Sequence, residues 1–193
     1  MKKFTTYLSM ALVALLSISL TSCDEDADVA YALDGAWRGN VYVTSKWDGY
    51  TYRASYSEVQ FNSGYDSGTG YWIDYYSNAP WDYIANHIRW KVRNGNIYIH
   101  FDEENSDVVI YDYHLDDYHF SGSLASNGSD DYISFSLQHI SSPNWYSYDY
   151  YGSEGWYSDW YDDWYGYGYG YYYGKKATRG GNPEGVVRSF SKP

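Results

Sequence analysis

The chain of 193 residues carries 25 acids against 13 lysines and arginines, a formal net charge of −12. A surface this acidic repels phosphate backbones, which excludes nucleic acid as a partner. One cysteine cannot build a disulfide framework, and 28 tyrosines with 9 tryptophans against 2 methionines fit pleated surfaces better than helices.

The chain opens with Lys2 and Lys3, an apolar stretch from Tyr7 to Leu20, and then Leu20-Thr21-Ser22-Cys23. Ser9, Ser17 and Ser19 interrupt the stretch, which is shorter than the roughly 20 apolar residues of a membrane-spanning helix. A basic start, an apolar middle and small residues before a cleavage point make a secretory signal. With its cysteine in last place, the segment resembles a bacterial lipoprotein signal peptide and lipobox. The resemblance implies a signal peptide over 1–22 and cleavage before Cys23. It also implies palmitate-type acylation at Cys23, and several acyl chains that anchor the protein to a membrane without spanning it. Residues 23–32 then read as an acidic tether. Asp24-Glu25-Asp26 resembles a surface-export signal of some Gram-negative lipoproteins. An aspartate directly after the cysteine resembles the inner-membrane retention signal of enteric bacteria. Three acids in a row go beyond the retention signal, so the expected address is the outer membrane, facing outward.

From Leu33 to Ile140 short strands alternate with polar turns. Trp37 to Val43 predicts a first strand and Tyr50 to Phe61 a second. A change of phase near Ser57-Glu58 predicts a bulge in that second strand. Asn62 to Gly70 reads as a turn and Tyr71 to Tyr76 as a third strand. Ile88, Trp90 and Val92, then Asn94-Gly95, then Ile97, Ile99 and Phe101 form the clearest hairpin signal in the chain. Three further strands follow at Asp107–Leu115, Tyr118–Leu124 and Tyr132–His139. No stretch after the signal sustains a helical apolar period. About eight sequential strands without crossover helices predict an antiparallel up-and-down barrel, because closure removes both edges.

Leu33-Asp34-Gly35-Ala36-Trp37 resembles the Gly-x-Trp opening of lipocalin-like barrels, and Tyr111-Asp112-Tyr113 resembles the Asp-Tyr pair of their second motif. The domain over 33–141 is therefore similar to small lipocalin-like lipoproteins of Gram-negative bacteria. The resemblance implies that Gly35 and Trp37 pack across the closed barrel end and that the role is non-enzymatic binding or an unknown one, and it supplies no ligand; no cofactor is assigned.

Residues 142–193 change character. From Asn144 to Tyr173 there is no Leu, Ile, Val, Met, Phe or Ala, while Trp156, Trp160 and Trp164 recur every fourth residue. Glycine, tyrosine and aspartate form helices poorly, so this low-complexity tail reads as disordered. Its aromatic faces are candidate contacts for a glycan or a neighbouring envelope protein. A chain ending near Ser142 is expected to fold without the tail.

Glu103-Glu104, Asp116-Asp117 and Asp130-Asp131 sit at predicted turns, where carboxylates are solvated and unsuited to acid–base chemistry. His87, His100, His114, His119 and His139 read as ordinary strand histidines, so no metal is assigned. Arg89, Lys91 and Arg93 share one face of a strand and are candidate anion contacts or partners for cross-strand acids. Two functions remain. One is a lipid-anchored, lipocalin-like binding protein for a small apolar ligand or glycan. The other is a structural or interaction protein with a filled barrel and a sticky tail. An open interior supports the first and a packed interior the second.

Overall fold

A computed structural model describes residues 25–126, 131–148 and 185–191. Its strands are β1 (Gly35–Asn40), β2 (Val43–Trp47), β3 (Tyr50–Arg53), β4 (Tyr56–Ser63), β5 (Ser67–Tyr75), β6 (Tyr83–Arg93), β7 (Asn96–Phe101), β8 (Ser106–Leu115), β9 (His119–Ser126), β10 (Ile133–Ile140) and β11 (Val187–Phe190). Eight of them close a barrel in the order β1-β10-β9-β8-β7-β6-β5-β4, with every neighbouring pair antiparallel. β1 closes the ring by pairing with both β10 and β4. The close approach there has a sequence cause. A Cβ on Gly39 would lie 2.1 Å from the Ser136 carbonyl oxygen of β10, so glycine lets the two backbones meet.

The apolar set of each strand points inward. Trp37, Phe61, Trp72, Phe101, Phe120, Ile88, Ile97, Ile99 and Leu124 are all buried in one cluster. Trp37, Phe61 and Phe120 meet edge-on, with ring centroids 5.7 Å and 6.2 Å apart from Phe120. The interior is therefore filled by side chains. The β6–β7 hairpin turns at Asn94 and Gly95, whose φ values of 52° and 71° are those an Asn-Gly turn requires.

Several features differ from the sequence expectations, among them the stretch Asn62–Gly70, which is not a turn throughout but belongs at its ends to β4 and β5. Residues 25–33 are helical, although 25–32 read as solvated tether and Leu33 as the start of the barrel domain. Ala30 and Leu33 of this segment are buried, and the Asp26 carboxylate accepts hydrogen bonds from the backbone N–H groups of Asn94 and Gly95, both at 2.9 Å. The helix thus packs at the barrel end that carries the β6–β7 turn. Two fully buried residues are too few to register as a period. The predicted second strand is two strands, β3 and β4, in different sheets, so its change of phase marks a strand break and not a bulge. β2 leaves the barrel after β1 and pairs with β3 through Asp48 and Gly49, at φ 49° and 76°.

The tail also contributes to the fold. Trp145 is buried on the outer barrel wall, stacked on Tyr71 at 5.6 Å, and its indole N–H donates to Gln60 at 3.2 Å. β11 pairs with β2 to complete a three-stranded sheet in the order β11-β2-β3. The folded unit therefore extends past residue 141 to Tyr148 and recruits residues 187–190.

Candidate functional site

The two barrel ends differ. At the closed end lie the helix over 25–33 and Trp37, whose indole N–H donates to the Leu33 carbonyl at 2.9 Å. Gly35 stands beside it with φ 129°, and a Cβ there would meet His139 Nε2 at 2.5 Å. The opposite end, the mouth, is covered by β2, β3 and β11.

The mouth holds the buried charges. Asp74 on β5 and Arg188 on β11 have side-chain exposures of 0% and 2%. Alternation along β5 turns Trp72 and Asp74 inward together. The Asp74 carboxylate accepts from Ser57 Oγ, from Trp72 Nε1 at 3.0 Å and from Arg188 Nε. Arg188 Nη1 lies 3.4 Å from Glu104 Oε2, and Asn86 Nδ2 donates to Glu104 Oε1 at 3.0 Å. The guanidinium sits 4.5 Å from the ring centres of Phe101 and Phe190 and 5.5 Å from that of Trp72. Burial opposes the Arg188 charge, but Asp74 and Glu104 outweigh it and hold the guanidinium firmly protonated. Among the described residues, Asn86 Oδ1 and Arg188 Nη2 are buried without a hydrogen-bond partner. Beside Arg188 is a hollow of about 20 Å³, the size of one water, lined also by Ile84, Glu104 and Val186, and a cleft of about 390 Å³ opens along Glu104, Ser106, Asp107, Val108, Ser126, Arg188, Ser189 and Phe190.

Next to this cluster the Tyr76 hydroxyl bonds Ser45 Oγ at 2.7 Å, and burial followed by the Asp74 charge pushes its phenol up. The folded value therefore lies above the unfolded value of about 10. The neutral phenol's contribution is fully present below that pH and is lost as pH rises through the folded value. Stability should fall above about pH 10 by up to about 1.4 kcal/mol per pH unit for this group. Urea midpoints measured from pH 9 to 11 check this, and Tyr76→Phe should flatten the slope. A slope unchanged by Tyr76→Phe would assign the loss to other groups.

The remaining sequence candidates are scattered. Arg89, Lys91 and Arg93 are exposed on the outside of β6. Arg89 Nε donates to Asp102 at 2.6 Å, and Lys91 lies 5.8 Å from the Tyr98 ring, so the stripe is partly engaged with its neighbours. Asp116 accepts from the backbone of Tyr118 and His119, both at 2.8 Å, which holds its carboxyl below the usual range. His114 and His119 flank that same carboxylate. Among the described residues no group of three or more histidines, cysteines or acids is placed to hold a metal. Cys23, Asp130, Trp156, Trp160 and Trp164 lie outside the described residues.

Residues 33–122 match the lipocalin-like domain family. The match begins at the Leu33–Trp37 opening and runs into β9. No curated protein and no solved structure gives a significant match. The barrel thus has one end closed around Trp37 by the 25–33 helix and the opposite end, the mouth, covered by β2, β3 and β11. Sequence reasoning missed the mouth residues Asp74, Glu104 and Arg188 as a group. The available signal was the return of alternation at Val186, Arg188 and Phe190 after a tract without aliphatics.

Proposed function

We propose that the protein is a lipid-anchored, non-enzymatic lipoprotein of the outer membrane whose lipocalin-like barrel takes a small, largely apolar ligand at its mouth. The observation that carries this reading is the cleft of about 390 Å³ at the mouth, where Val108 and Phe190 stand among the polar side chains of Glu104, Ser106, Asp107, Ser126, Arg188 and Ser189, and whose volume falls in the range of about 300–1,000 Å³ used by ligand sites. On β6 and β7 the apolar side chains face inward and the charged ones outward, the reverse of a barrel that faces lipid. Membrane attachment then falls to Cys23. Labelling cells with a radioactive fatty acid tests the anchor: Cys23→Ser should lose the label and the membrane fraction, and full retention of both would reject it.

N-phenyl-1-naphthylamine, a neutral apolar probe, tests the cleft. It should bind saturably, and Ser126→Trp should weaken binding by at least about tenfold, or about 1.4 kcal/mol. Ser126 is exposed and pairs with Val108, so the indole fills the cleft from its rim. The filled interior favours a second reading, a rigid interaction module whose aromatic tail contacts a glycan or an envelope protein. Absence of saturable probe binding to either protein would favour that reading.

A further inference from the structure

The barrel wall presents a receptor whose occupant comes from elsewhere in the chain. Asp74, Glu104, Trp72 and Phe101 belong to the barrel and its β7–β8 turn. The guanidinium that fills their cage arrives on β11, which among the described residues pairs with β2 alone and follows Tyr148 only after the long segment 149–184. The fit is specific to a planar cation. Asp74 takes Nε, Glu104 lies near Nη1, and Phe101 and Phe190 lie 4.5 Å from the guanidinium carbon. The backbone of β11 adds strand hydrogen bonds in the register Val187 to Lys46, Arg188 to Ser45, Ser189 to Thr44 and Phe190 to Val43. Buried, incompletely satisfied polar atoms remain at the cage, on Asn86 and on Arg188 itself. Of these, the Asn86 oxygen belongs to the receptor and is the group a better-matched occupant would satisfy.

We propose that the mouth is a binding site for an extended peptide carrying an arginine, and that β11 is its intramolecular occupant, displaced when such a peptide adds to β2. The chemistry has two parts: strand addition to the β2 edge and guanidinium capture by Asp74 and Glu104. The inference rests on reading the mouth as the ligand-bearing end, but not on an apolar ligand filling the cleft. The tethered strand competes as an internal ligand, so the free site should bind more tightly than the occupied one.

A fluorescent peptide with the sequence of residues 185–191 provides the test on the full chain. It should bind Arg188→Ala at least tenfold more tightly than wild type, and a peptide with alanine at its arginine should not bind. Equal binding to both proteins, equal binding of both peptides, or no binding to a folded Arg188→Ala chain would each overturn the proposal. Where Arg188→Ala does not fold, hydrogen exchange on wild type decides. The β11 amides should exchange faster than those of β6 and β7, and faster still with excess peptide. β11 protection equal to β6 protection in both conditions would mean that the strand opens only on global unfolding, which overturns displacement. A mixture of wild type and Arg188→Ala that dimerises by strand exchange and ignores the peptide would identify a second copy as occupant and also overturn it. Loss of peptide binding with Ser126-sensitive probe binding intact would remove this inference alone. The converse would remove only the apolar-ligand reading.

Discussion

Asp74→Ala is expected to destabilise the fold by about 3–5 kcal/mol, the usual cost of breaking a buried ion pair from one side. The carboxylate is fully buried and accepts from three side chains on three different elements: Ser57 on β4, Trp72 on β5 and Arg188 on β11. Removing it leaves the Arg188 charge buried, with Glu104 at 3.4 Å as its remaining acid. It also strips an acceptor from the Trp72 indole. Small domains are stable by only about 5–15 kcal/mol, so the loss takes a large share. A urea titration followed by circular dichroism reads it directly. The double variant Asp74→Leu with Arg188→Met removes both charges and keeps apolar volume, and it should recover most of the loss. An Asp74→Ala cost below about 1 kcal/mol, or a double variant no better than the single, would show that the pair is not energetically coupled.

That pair also explains why the tail boundary was hard to read. The barrel strands were legible because one face of each is apolar, and period-two alternation survives any loop insertion. The Ile88–Phe101 hairpin announced itself twice, by alternation and by Asn94-Gly95. β2 and β3 carried a weaker version of the same signal at Asp48-Gly49, but their faces hold Ser45, Lys46, Thr51 and Tyr52 in place of aliphatics. β11 has four residues, and its innermost side chain is an arginine. A residue-type rule reads that arginine as solvent-facing. Its burial depends on Asp74, 114 positions away. Local pattern cannot carry such a pairing, because a buried charge is tolerated only where a specific partner meets it. A chain ending after Ser142 would lack Arg188, Phe190 and Trp145, so it should melt at a lower temperature than the full chain. The helix over 25–33 was hidden for a related reason: two inward residues and one carboxylate on a turn define its place, and none of these forms a period.

Trp37→Ala is expected to cost about 3–5 kcal/mol at the other end of the barrel. Trp37 is fully buried and meets Phe120 and His139 edge-on, with ring centroids 5.7 Å and 5.0 Å away. Its N–H satisfies the Leu33 carbonyl at the end of the 25–33 helix. Truncation therefore combines three losses: the apolar transfer of the indole, a cavity among rings that cannot collapse, and an orphaned carbonyl. The strands around it are locked in the closed ladder, which limits relaxation, so the cost belongs in the upper part of the range for large-to-small substitutions. Trp37→Phe separates the contributions. It retains most of the volume and removes the donor, so it should cost about 1–3 kcal/mol, mainly for the stranded carbonyl. Urea midpoints at constant slope measure both changes. Equal costs for Ala and Phe would assign the effect to the Leu33 hydrogen bond, and a Trp37→Ala cost below about 1 kcal/mol would remove Trp37 as the element that seals the closed end.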